Sequence, residues 1–317
     1  MIAAPTYKLL VASKLRGVGR RALRDLSVDK IFFRSSLDEL REAVSGVANP
    51  NPDATVMAAA FRAADADVEA AERMGHFIVG PHDAAYPALL RQLDDRPAIL
   101  FIRGDPRRVS EKAVAIIGTR EPSKAGELTA ERIARYFAGG GWQVVSGLAL
   151  GVDTVAHQLT LLSGGSTVAV VAHGLDKVYP RENADLADRI VESGGALVSE
   201  YGYKSPVFPS HFVERDRIQA GLSLGVVMVQ SDETGGSWHA SRAALRYGRY
   251  LIIPHPAEPD IRVAYPKARG NWMIVHSTDA ERAAFLKCPL SDLQRLIILN
   301  SRDDYPVLAS TLLASAA

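Results

Sequence analysis

The sequence contains very little cysteine: Cys288 is the single cysteine among 317 residues. One thiol cannot form a disulfide within the chain, and it excludes zinc sites that are built from several cysteines. Scarce cysteine is also typical of proteins in a reducing compartment. Disulfide-stabilised secreted folds are therefore excluded, and we expect a cytoplasmic protein.

Long apolar runs are absent as well. No stretch of the sequence approaches the ~20 apolar residues that a membrane-spanning helix needs. The mildly apolar N-terminus contains Lys8 and Lys14, so we interpret it as a helix rather than a signal peptide. We therefore expect no contact with a membrane.

The chain also lacks an excess of charge of either sign. It has 37 lysines and arginines against 36 acidic residues, which gives a net charge of +1. A strongly basic total would indicate a nucleic-acid partner by itself. Here any anion site has to come from local clustering of positive groups.

Two standard nucleotide-binding motifs are missing. Gly118 is followed by Thr-Arg-Glu-Pro, which does not fit the GxGxxG pattern, and no GxxxxGK[ST] motif occurs. We therefore expect no NAD or ATP and predict no bound cofactor or metal ion, although a non-standard nucleotide site stays open.

The pattern along the chain predicts three parts. We expect a small all-helical domain over residues 1–75, a larger domain over 76–286, and a short helical tail over 287–317. Within the larger domain, strands alternate with helices, which is typical of a parallel sheet covered by helices on both faces. The fold class is therefore α/β, with an extended Rossmann-like sheet. The predicted strands are 77–79, 99–102, 113–117, 142–146, 167–171, 196–199, 225–230 and 250–253, and the helices between them are 125–138, 152–162, 183–193, 213–222 and 237–247.

The most informative stretch is Val114–His157, which contains two strand–turn–helix units. The first turn holds Gly118, Thr119 and Arg120, and the second runs from Ser146 through Gly147 to Gly151. Free N–H groups at a helix start attract anions, and a guanidinium suits phosphate. In parallel sheets, ligands bind at the carboxyl ends of strands, where both turns lie. We predict a phosphate-binding site there.

Further candidates for the same site follow later strands. Two arginines could clamp a phosphate, a Gly-Gly-Ser turn precedes a helix, and a lysine lies in the loop after strand 167–171. These candidates are Lys177, Arg215, Arg217, Gly236 and Ser237.

The N-terminal turn Gly17-Val18-Gly19, followed by Arg20 and Arg21, has two interpretations. It resembles a helix-hairpin-helix, a motif that holds a DNA phosphate with hairpin amides. It also fits a plain tight turn between two packed helices, which we favour.

A catalytic triad of Ser146, Asp153 and His157 is disfavoured. Asp153 and His157 share a helix face at i, i+4, but Ser146 is not in a G-x-S-x-G elbow. We expect instead that Asp153 and His157 form a structural pair that braces the turn, and we predict no catalytic residue.

Several motifs in order resemble the DprA/Smf family of bacterial DNA-processing proteins. VAIIGTR resembles the family's strand ending in Gly-Ser-Arg, and VVSGLALGVDTVAH is similar to SGLA-x-GID-x-x-AH. HGLDKVYPRENADL resembles GLD-x-x-YP-x-x-N-x-x-L, and DAAYPALLRQLDDRPAILFIRGD, GALVSEY and IQAGLS match in order. The resemblance covers about residues 76–256.

This resemblance implies a Rossmann-like domain after a helical one, no established catalytic step, binding of single-stranded DNA, dimerisation, and loading of the RecA recombinase. Gly118, Thr119 and Arg120 then match the family's phosphate loop. Arg215 and Arg217 match its FP-x-RNR segment, and Ser237 its SGSL-x-TA turn. Tyr179, Tyr201 and Phe212 are candidates to stack on bases.

The sequence departs from the family at several positions. Asp216 stands where the family has asparagine, and Glu214 adds a second acid; carboxylates beside a phosphate groove oppose binding. In place of SGSL-x-TA the sequence reads Gly235-Gly236-Ser237-Trp238-His239-Ala240-Ser241, so the threonine hydroxyl is lost. About 30 residues after 286 are too few for the family's winged helix, so we expect a member without one.

Three hypotheses follow. The first is a non-catalytic protein that binds single-stranded DNA as a homodimer and acts in recombination. The second is an enzyme on nucleotides, a phosphoribohydrolase of the same superfamily; its PGGxGTxxE motif lacks the acid here, because Arg242 stands in that turn. The third is a regulatory or antitoxin component of a phage-defence pair, whose partner is a cognate toxin protein.

Overall fold

The N-terminal part of the chain is helical, as the sequence predicts. A computed structural model describes residues 2–315. The longest of the N-terminal helices begins where the Asp53 carboxylate accepts a hydrogen bond from the Val56 amide at 2.8 Å, and it ends at Gly75, whose φ of +66° is left-handed. The helices are α1 (Ala4–Ser13), α2 (Arg20–Leu26), α3 (Lys30–Arg34), α4 (Leu40–Val44) and α5 (Ala54–Met74).

The rest of the chain alternates between strands and helices, and the boundaries lie within a few residues of the predicted ones. First come β1 (His76–Val79), α6 (Ala88–Arg91) and β2 (Leu100–Arg103). The central units are β3 (Ala113–Ile117), α7 (Lys124–Gly139), β4 (Gln143–Ser146), α8 (Val152–Leu162), β5 (Thr167–Val171), α9 (Ala184–Glu192), β6 (Ala196–Ser199), α10 (Pro209–Gly221), β7 (Gly225–Met228), α11 (Trp238–Arg246) and β8 (Tyr250–Pro254). The last elements are α12 (Glu258–Arg262), α13 (Arg269–His276), α14 (Asp279–Leu286), β9 (Leu296–Leu299) and α15 (Tyr305–Ala314).

All the strands join one sheet in the order β1-β2-β6-β5-β4-β3-β7-β8-β9. Neighbouring strands from β6 to β9 are parallel, whereas β2 runs antiparallel to both β6 and β1. The chain adds β4, β5 and β6 on one side of β3 and then returns to place β7 on the other side. The predicted α/β fold with a Rossmann-like sheet is confirmed.

Helices cover both faces of this sheet, because successive strand side chains point to opposite faces. Ala115 and Ile117 of β3 join a core with α10 and α11, while Val114 and Ile116 join a core with α7, α8 and α15. Both faces are apolar along the central strands, which is the pattern of a buried parallel sheet.

The predicted helical tail over 287–317 missed a strand. Leu296–Leu299 form β9, which pairs in parallel with Leu251–Pro254 of β8 and extends the sheet. Only then does α15 follow and pack against the sheet through Leu308 and Leu312. A short apolar run cannot be assigned to helix or strand from periodicity alone, which explains the error.

The helical segment shares its core with the sheet. Leu9 of α1 and Phe32 of α3 belong to one buried cluster together with Phe101 of β2, Val171 of β5 and Leu148 in the loop after β4. The predicted boundary near residue 75 is therefore a change of secondary structure and not a gap in packing. Among residues 2–315, no helix is long and apolar enough to cross a membrane.

Candidate functional site

A crevice opens at the carboxyl end of β3. At β3 the strand order changes direction, because β4, β5 and β6 lie on one side of it and β7 lies on the other. The loops after β3 and β4 lead to helices on one face, while α10 and α11 lie on the other. Open α/β sheets bind ligands at such a switch point. The crevice has a volume of about 420 Å³. We call it the switch-point crevice; its walls are residues 117–121 at the end of β3 and in the turn after it, Ala149 and Asp153 after β4, one side of α10, residues 231, 232 and 235–237 after β7, Ala240 and Lys267.

The turn after β3 supplies one wall of the crevice. Thr119 donates its amide to the Gln230 carbonyl at 2.8 Å and accepts from the Val152 amide at 3.2 Å, which fixes the turn. The Arg120 amide donates to no acceptor within residues 2–315. The Arg120 side chain is exposed, and its guanidinium carbon lies 5.5 Å from the centroid of the Phe212 ring. This turn therefore presents a free amide and a free cation beside an aromatic ring.

The turn after β7 supplies the opposite wall. Ser237 donates its hydroxyl to the Gly118 carbonyl at 2.9 Å and so ties the two turns together. Within the described part of the chain, the amides of Gly236 and Ser237 donate to no acceptor. Gly236 borders open space. Together with Arg120, three unpaired backbone amides line the crevice, which is a typical arrangement for binding an anion.

The loop after β4 has a different role from the predicted one. Ser146 is fully buried and donates its hydroxyl to the Ile116 carbonyl at 2.7 Å. A Cβ on Gly147 would lie 1.8 Å from Nη1 of Arg215, and a Cβ on Gly151, at φ +78°, would lie 2.5 Å from the Thr119 carbonyl. These three residues do not line the crevice. The two glycines leave room for the walls of the crevice to approach each other. All three residues lie behind the walls and not on the surface that would contact a phosphate.

The expected Asp153–His157 pair is not formed. Asp153 does brace the turn, because its carboxylate accepts from the amides of Gly147 at 3.2 Å and Ala149 at 3.3 Å. His157 instead contacts the hydroxyl of Thr167 through Nδ1 at 2.7 Å. That hydroxyl donates to a carbonyl, so Nδ1 has to be the protonated nitrogen.

The imidazole of His157 is fully buried, and burial together with the Arg215 charge lowers its pKa to about 3. It is therefore neutral at physiological pH. Ser146 and His157 have separate partners, so the residues that could have formed a triad do not form a proton relay.

The floor of the crevice holds one guanidinium and two carboxyl groups. Arg215 donates from Nη1 to the Val170 carbonyl at 2.6 Å, and its Nε lies 3.2 Å from Oδ1 of Asp216, without the alignment of a hydrogen bond. Gln219 donates to the same Asp216 oxygen at 2.9 Å. Burial raises the pKa of Asp216 to about 7, although Arg215 opposes the shift, and burial also raises the pKa of Asp153. The floor therefore gains negative charge as the pH rises through neutrality.

Two further predicted site residues, besides Ser146, Gly147 and Gly151, lie outside the crevice. Arg217 points to the other side of α10, where it donates to the Asp95 carbonyl at 2.7 Å and to the Glu200 carboxylate at 2.5 Å. Lys177 donates to the Ser205 carbonyl at 3.1 Å and is exposed. Arg215 and Arg217 are therefore separated, because residues two apart on a helix face different directions.

Glu214 also lies outside the crevice, which corrects the expectation that it opposes phosphate there. Its carboxylate forms an ion pair with Arg20 of the N-terminal hairpin and accepts from the Tyr201 hydroxyl at 2.7 Å. Tyr201 stacks on His211 with ring centroids 4.0 Å apart. Tyr201 is thus engaged, while Tyr179 is exposed and packs edge-on against Phe212, with centroids 5.9 Å apart.

The sequence analysis missed several residues of the crevice. Gln219 lies on the floor, and Asp232 and Lys267 form an ion pair of 2.8 Å at the rim. Asp232 follows the end of β7 by a few residues, so the rule for strand ends could have found it. Nothing in the pattern singles out Lys267, which comes from the segment after β8. Among residues 2–315, no cluster of three or more histidine, cysteine or acidic side chains could hold a metal ion.

Comparison with known proteins gives one family. A family profile described as DNA recombination-mediator protein A matches residues 77–285. The chain is 38% identical over 195 residues to the DNA processing protein DprA of Bacillus subtilis, which covers 59% of this chain and 65% of that protein. It is 34% identical over 205 residues to the protein Smf of Escherichia coli, covering 64% and 53%. The chain thus matches between half and two thirds of the length of these relatives.

Solved structures agree with the sequence comparison. DNA processing protein A of Streptococcus pneumoniae is 26% identical, with a TM-score of 0.65 over 88% of this chain and 99% of that one. DNA processing protein A of Helicobacter pylori is 25% identical, with a TM-score of 0.59 over 75% and 96%, and its structure describes how that protein binds single-stranded DNA.

Proposed function

The chain belongs to the DNA recombination-mediator protein A family, and from this premise we propose that it binds single-stranded DNA at the switch-point crevice, without catalysis, in DNA processing and recombination. Binding to DNA and a role in processing are consistent with what its relatives are named for. The loading of a RecA-type recombinase and the formation of a homodimer belong to the same proposal.

One observation carries this proposal. The unpaired amides of Arg120, Gly236 and Ser237 line a single crevice, and the exposed guanidinium of Arg120 stands at its edge. Backbone amides and a guanidinium bind phosphate oxygens whatever the base sequence is. Phe212 and Tyr179 extend from the same edge and offer ring faces for bases. Phosphate groups and unstacked bases occur together in a single strand.

The size of the crevice favours a single strand over a duplex. A volume of about 420 Å³ suits one small ligand group. The bases of a duplex are stacked inside and could not reach ring faces at the edge. A single strand can bend a phosphate into the crevice and turn its bases outward.

The partners of Ser146, Asp153 and His157 support a role for these residues in structure rather than in catalysis. Ser146 and His157 are fully buried and bound to structural partners, and Asp153 holds the turn. A nucleotide-binding or nucleotide-hydrolysing protein is the second candidate, because the buried Oε1 of Gln219 has no hydrogen-bond partner within residues 2–315 and borders the crevice. A regulatory or antitoxin role beside a toxin protein is the third.

The direct test measures binding of a fluorescent oligothymidylate by anisotropy at 50 and 200 mM salt. We expect affinity to fall with salt because released counterions drive the association. Arg120→Ala should weaken binding about tenfold and lower the salt slope by about 0.7, the value for one phosphate contact with a single strand. Arg135→Ala is the matched control, since Arg135 is an exposed arginine on α7 that pairs with Glu131.

Two results would contradict the proposal. One is no binding at 50 mM salt, and the other is equal binding by the Arg120→Ala and Arg135→Ala variants. Complete displacement of the oligonucleotide by an equimolar nucleoside monophosphate would favour the small-ligand candidate.

Light scattering of the purified protein tests the homodimer, and co-purification with a RecA-type recombinase or with a toxin protein tests the partner.

A further inference from the structure

A second hollow lies beside the switch-point crevice. It is a groove between α12, the short helical turn at Pro266–Ala268 and α13, and its volume is about 400 Å³. Most of the surface that lines it is apolar, and its lining includes Ile261, Ala264, Tyr265 and Trp272. We call it the Trp272 groove.

The Trp272 groove holds an aromatic ring that faces solvent. Trp272 is 48% exposed, whereas Trp142 and Trp238 are 4% and 1% exposed. The indole stacks on His276, with ring centroids 4.5 Å apart and planes 21° from parallel. One face of the indole is thereby held in place. A large, oriented and half-exposed ring is suited to stacking against a flat ligand.

The groove and the crevice share a wall. Lys267 lines the crevice, while its neighbours Tyr265 and Ala268 line the groove. The Tyr265 hydroxyl also donates to the carbonyl of Glu121 at 3.2 Å, and Glu121 lies in the β3 turn of the crevice. A chain that leaves the crevice over Lys267 therefore enters the groove.

The charges at this shared wall are already balanced. Lys267 forms an ion pair with Asp232 at 2.8 Å, and Arg269 pairs with Glu233 at 3.2 Å. Among the described residues that line the groove, Asp260 is the only one with a carboxylate; it is buried and accepts from Ser123 and Gln230. The groove thus offers apolar surface without free charge, which fits an uncharged base better than a phosphate.

We propose that the Trp272 groove is a nucleobase-binding subsite for the single strand whose phosphate occupies the switch-point crevice. This inference rests on the proposed function. The base stacks on the free face of Trp272 against Ile261 and Ala264, while the backbone crosses the rim at Lys267. The groove lengthens the contact with the strand and adds affinity that does not depend on salt.

Intrinsic fluorescence tests the proposal directly, because Trp272 is far more exposed than the other two tryptophans. Adding a twelve-residue oligothymidylate should quench the emission of the wild-type protein. An oligonucleotide of the same length with abasic sites in place of its bases should bind more weakly and leave the emission unchanged. Trp272→Phe should remove the quenching but keep affinity within about threefold, since phenylalanine also stacks.

Trp272→Ala should weaken oligonucleotide binding about 5- to 140-fold, the range for one stacked base, without changing the salt slope. The matched control is Phe77→Ala, because Phe77 is an exposed aromatic residue on β1, at the far edge of the sheet. Wild-type affinity in Trp272→Ala together with unquenched emission would overturn the subsite while leaving the crevice proposal intact. Loss of binding in the wild type itself would overturn both.

Discussion

The turn after β3 and the N-terminal hairpin each place a glycine ahead of an arginine, and they differ in whether that arginine side chain is free. In the crevice turn, the Arg120 amide is unpaired and its side chain is exposed. In the N-terminal hairpin, the Val18 and Gly19 amides donate within the turn, to the carbonyls of Leu15 and Gly17. The guanidinium of Arg20 is held by Glu214 and lies 3.7 Å from Glu200. The arginine side chains of two similar sequence patterns therefore differ, because Arg20 is paired with an acid and Arg120 is not.

The difference arises from what faces each turn. The hairpin packs against α10, which presents an acid to it, whereas the crevice turn faces the turn after β7, which presents more amides. The sequence favoured the plain-turn interpretation of the hairpin on frequency alone. The structure supplies the physical reason, because its first arginine already has an anionic partner.

Replacing the backbone-shaping glycines should give the largest effect and should separate the two turns. Gly151→Ala and Gly17→Ala each place a Cβ at positive φ, 2.5 Å from the carbonyl of Thr119 and 2.8 Å from the amide of Asn49, respectively. Each should lower the free energy of unfolding by about 3 kcal/mol. Urea denaturation measures this loss.

The two glycine variants should differ in DNA binding. At temperatures where both are folded, Gly151→Ala should lose oligonucleotide affinity because the β3 turn shifts, and Gly17→Ala should retain it. Gly139→Ala, whose Cβ meets no atom within 4 Å and which lies at the end of α7 and does not line the crevice, serves as the benign substitution. Equal loss of binding in the Gly17 and Gly151 variants would remove the distinction between the turns.

A change at Asp216 should have an intermediate effect. The pKa of this carboxyl group is about 7, so raising the pH from 6 to 8 converts it from mostly neutral to mostly charged. A carboxylate ~8 Å from a phosphate costs roughly 2 kcal/mol at an effective dielectric constant of about 20. Wild-type affinity for an oligonucleotide should therefore fall about tenfold over this interval, and Asp216→Asn should bind equally at both ends.

The same group links pH to stability. Its pKa is raised in the folded protein, so the folded state holds a proton that the unfolded state has lost, and stability declines as pH rises from about 4 to about 7. Asp216→Asn should flatten this part of the profile. His211→Asn, on the same helix, controls for an imidazole contribution. A wild-type affinity that does not change with pH would show that the charge of Asp216 does not act on the bound oligonucleotide.

The smallest effect should come from the arginine of the hairpin. Arg20→Ala removes a partly exposed ion pair and should cost no more than about 1 kcal/mol of stability. Oligonucleotide affinity and its salt slope should stay within twofold of the wild type, in contrast to Arg120→Ala. A tenfold loss of affinity in Arg20→Ala would mean that the hairpin holds DNA after all.

The order of strands and helices could be predicted because buried parallel strands and amphipathic helices leave clear periodic patterns. Leu296–Leu299 was missed because four apolar residues fit either state. Gly118, Arg120, Gly236 and Ser237 could be predicted as one site because they follow strand ends.

The sequence could not predict which strand ends lie next to each other in the sheet. It also could not predict in which direction the side chains of a helix point. Arg217 turned away from the crevice while Arg215 became its floor, and Lys267 entered from a segment with no recognisable pattern. Strand order and rotation about a helix are tertiary properties, and residue spacing does not encode them.

Leu148 links the N-terminal helices to the sheet, two parts of the molecule that the sequence pattern separates. It is fully buried, adopts a left-handed φ of +60°, and belongs to the apolar cluster built by the N-terminal helices. Its carbonyl accepts from Asn183 at 2.9 Å. The loop that lets the crevice walls approach is thus anchored from beneath by residues more than a hundred positions away. The N-terminal helical segment therefore cannot be exchanged freely between relatives. The incoming helices would have to present an apolar surface that packs around Leu148.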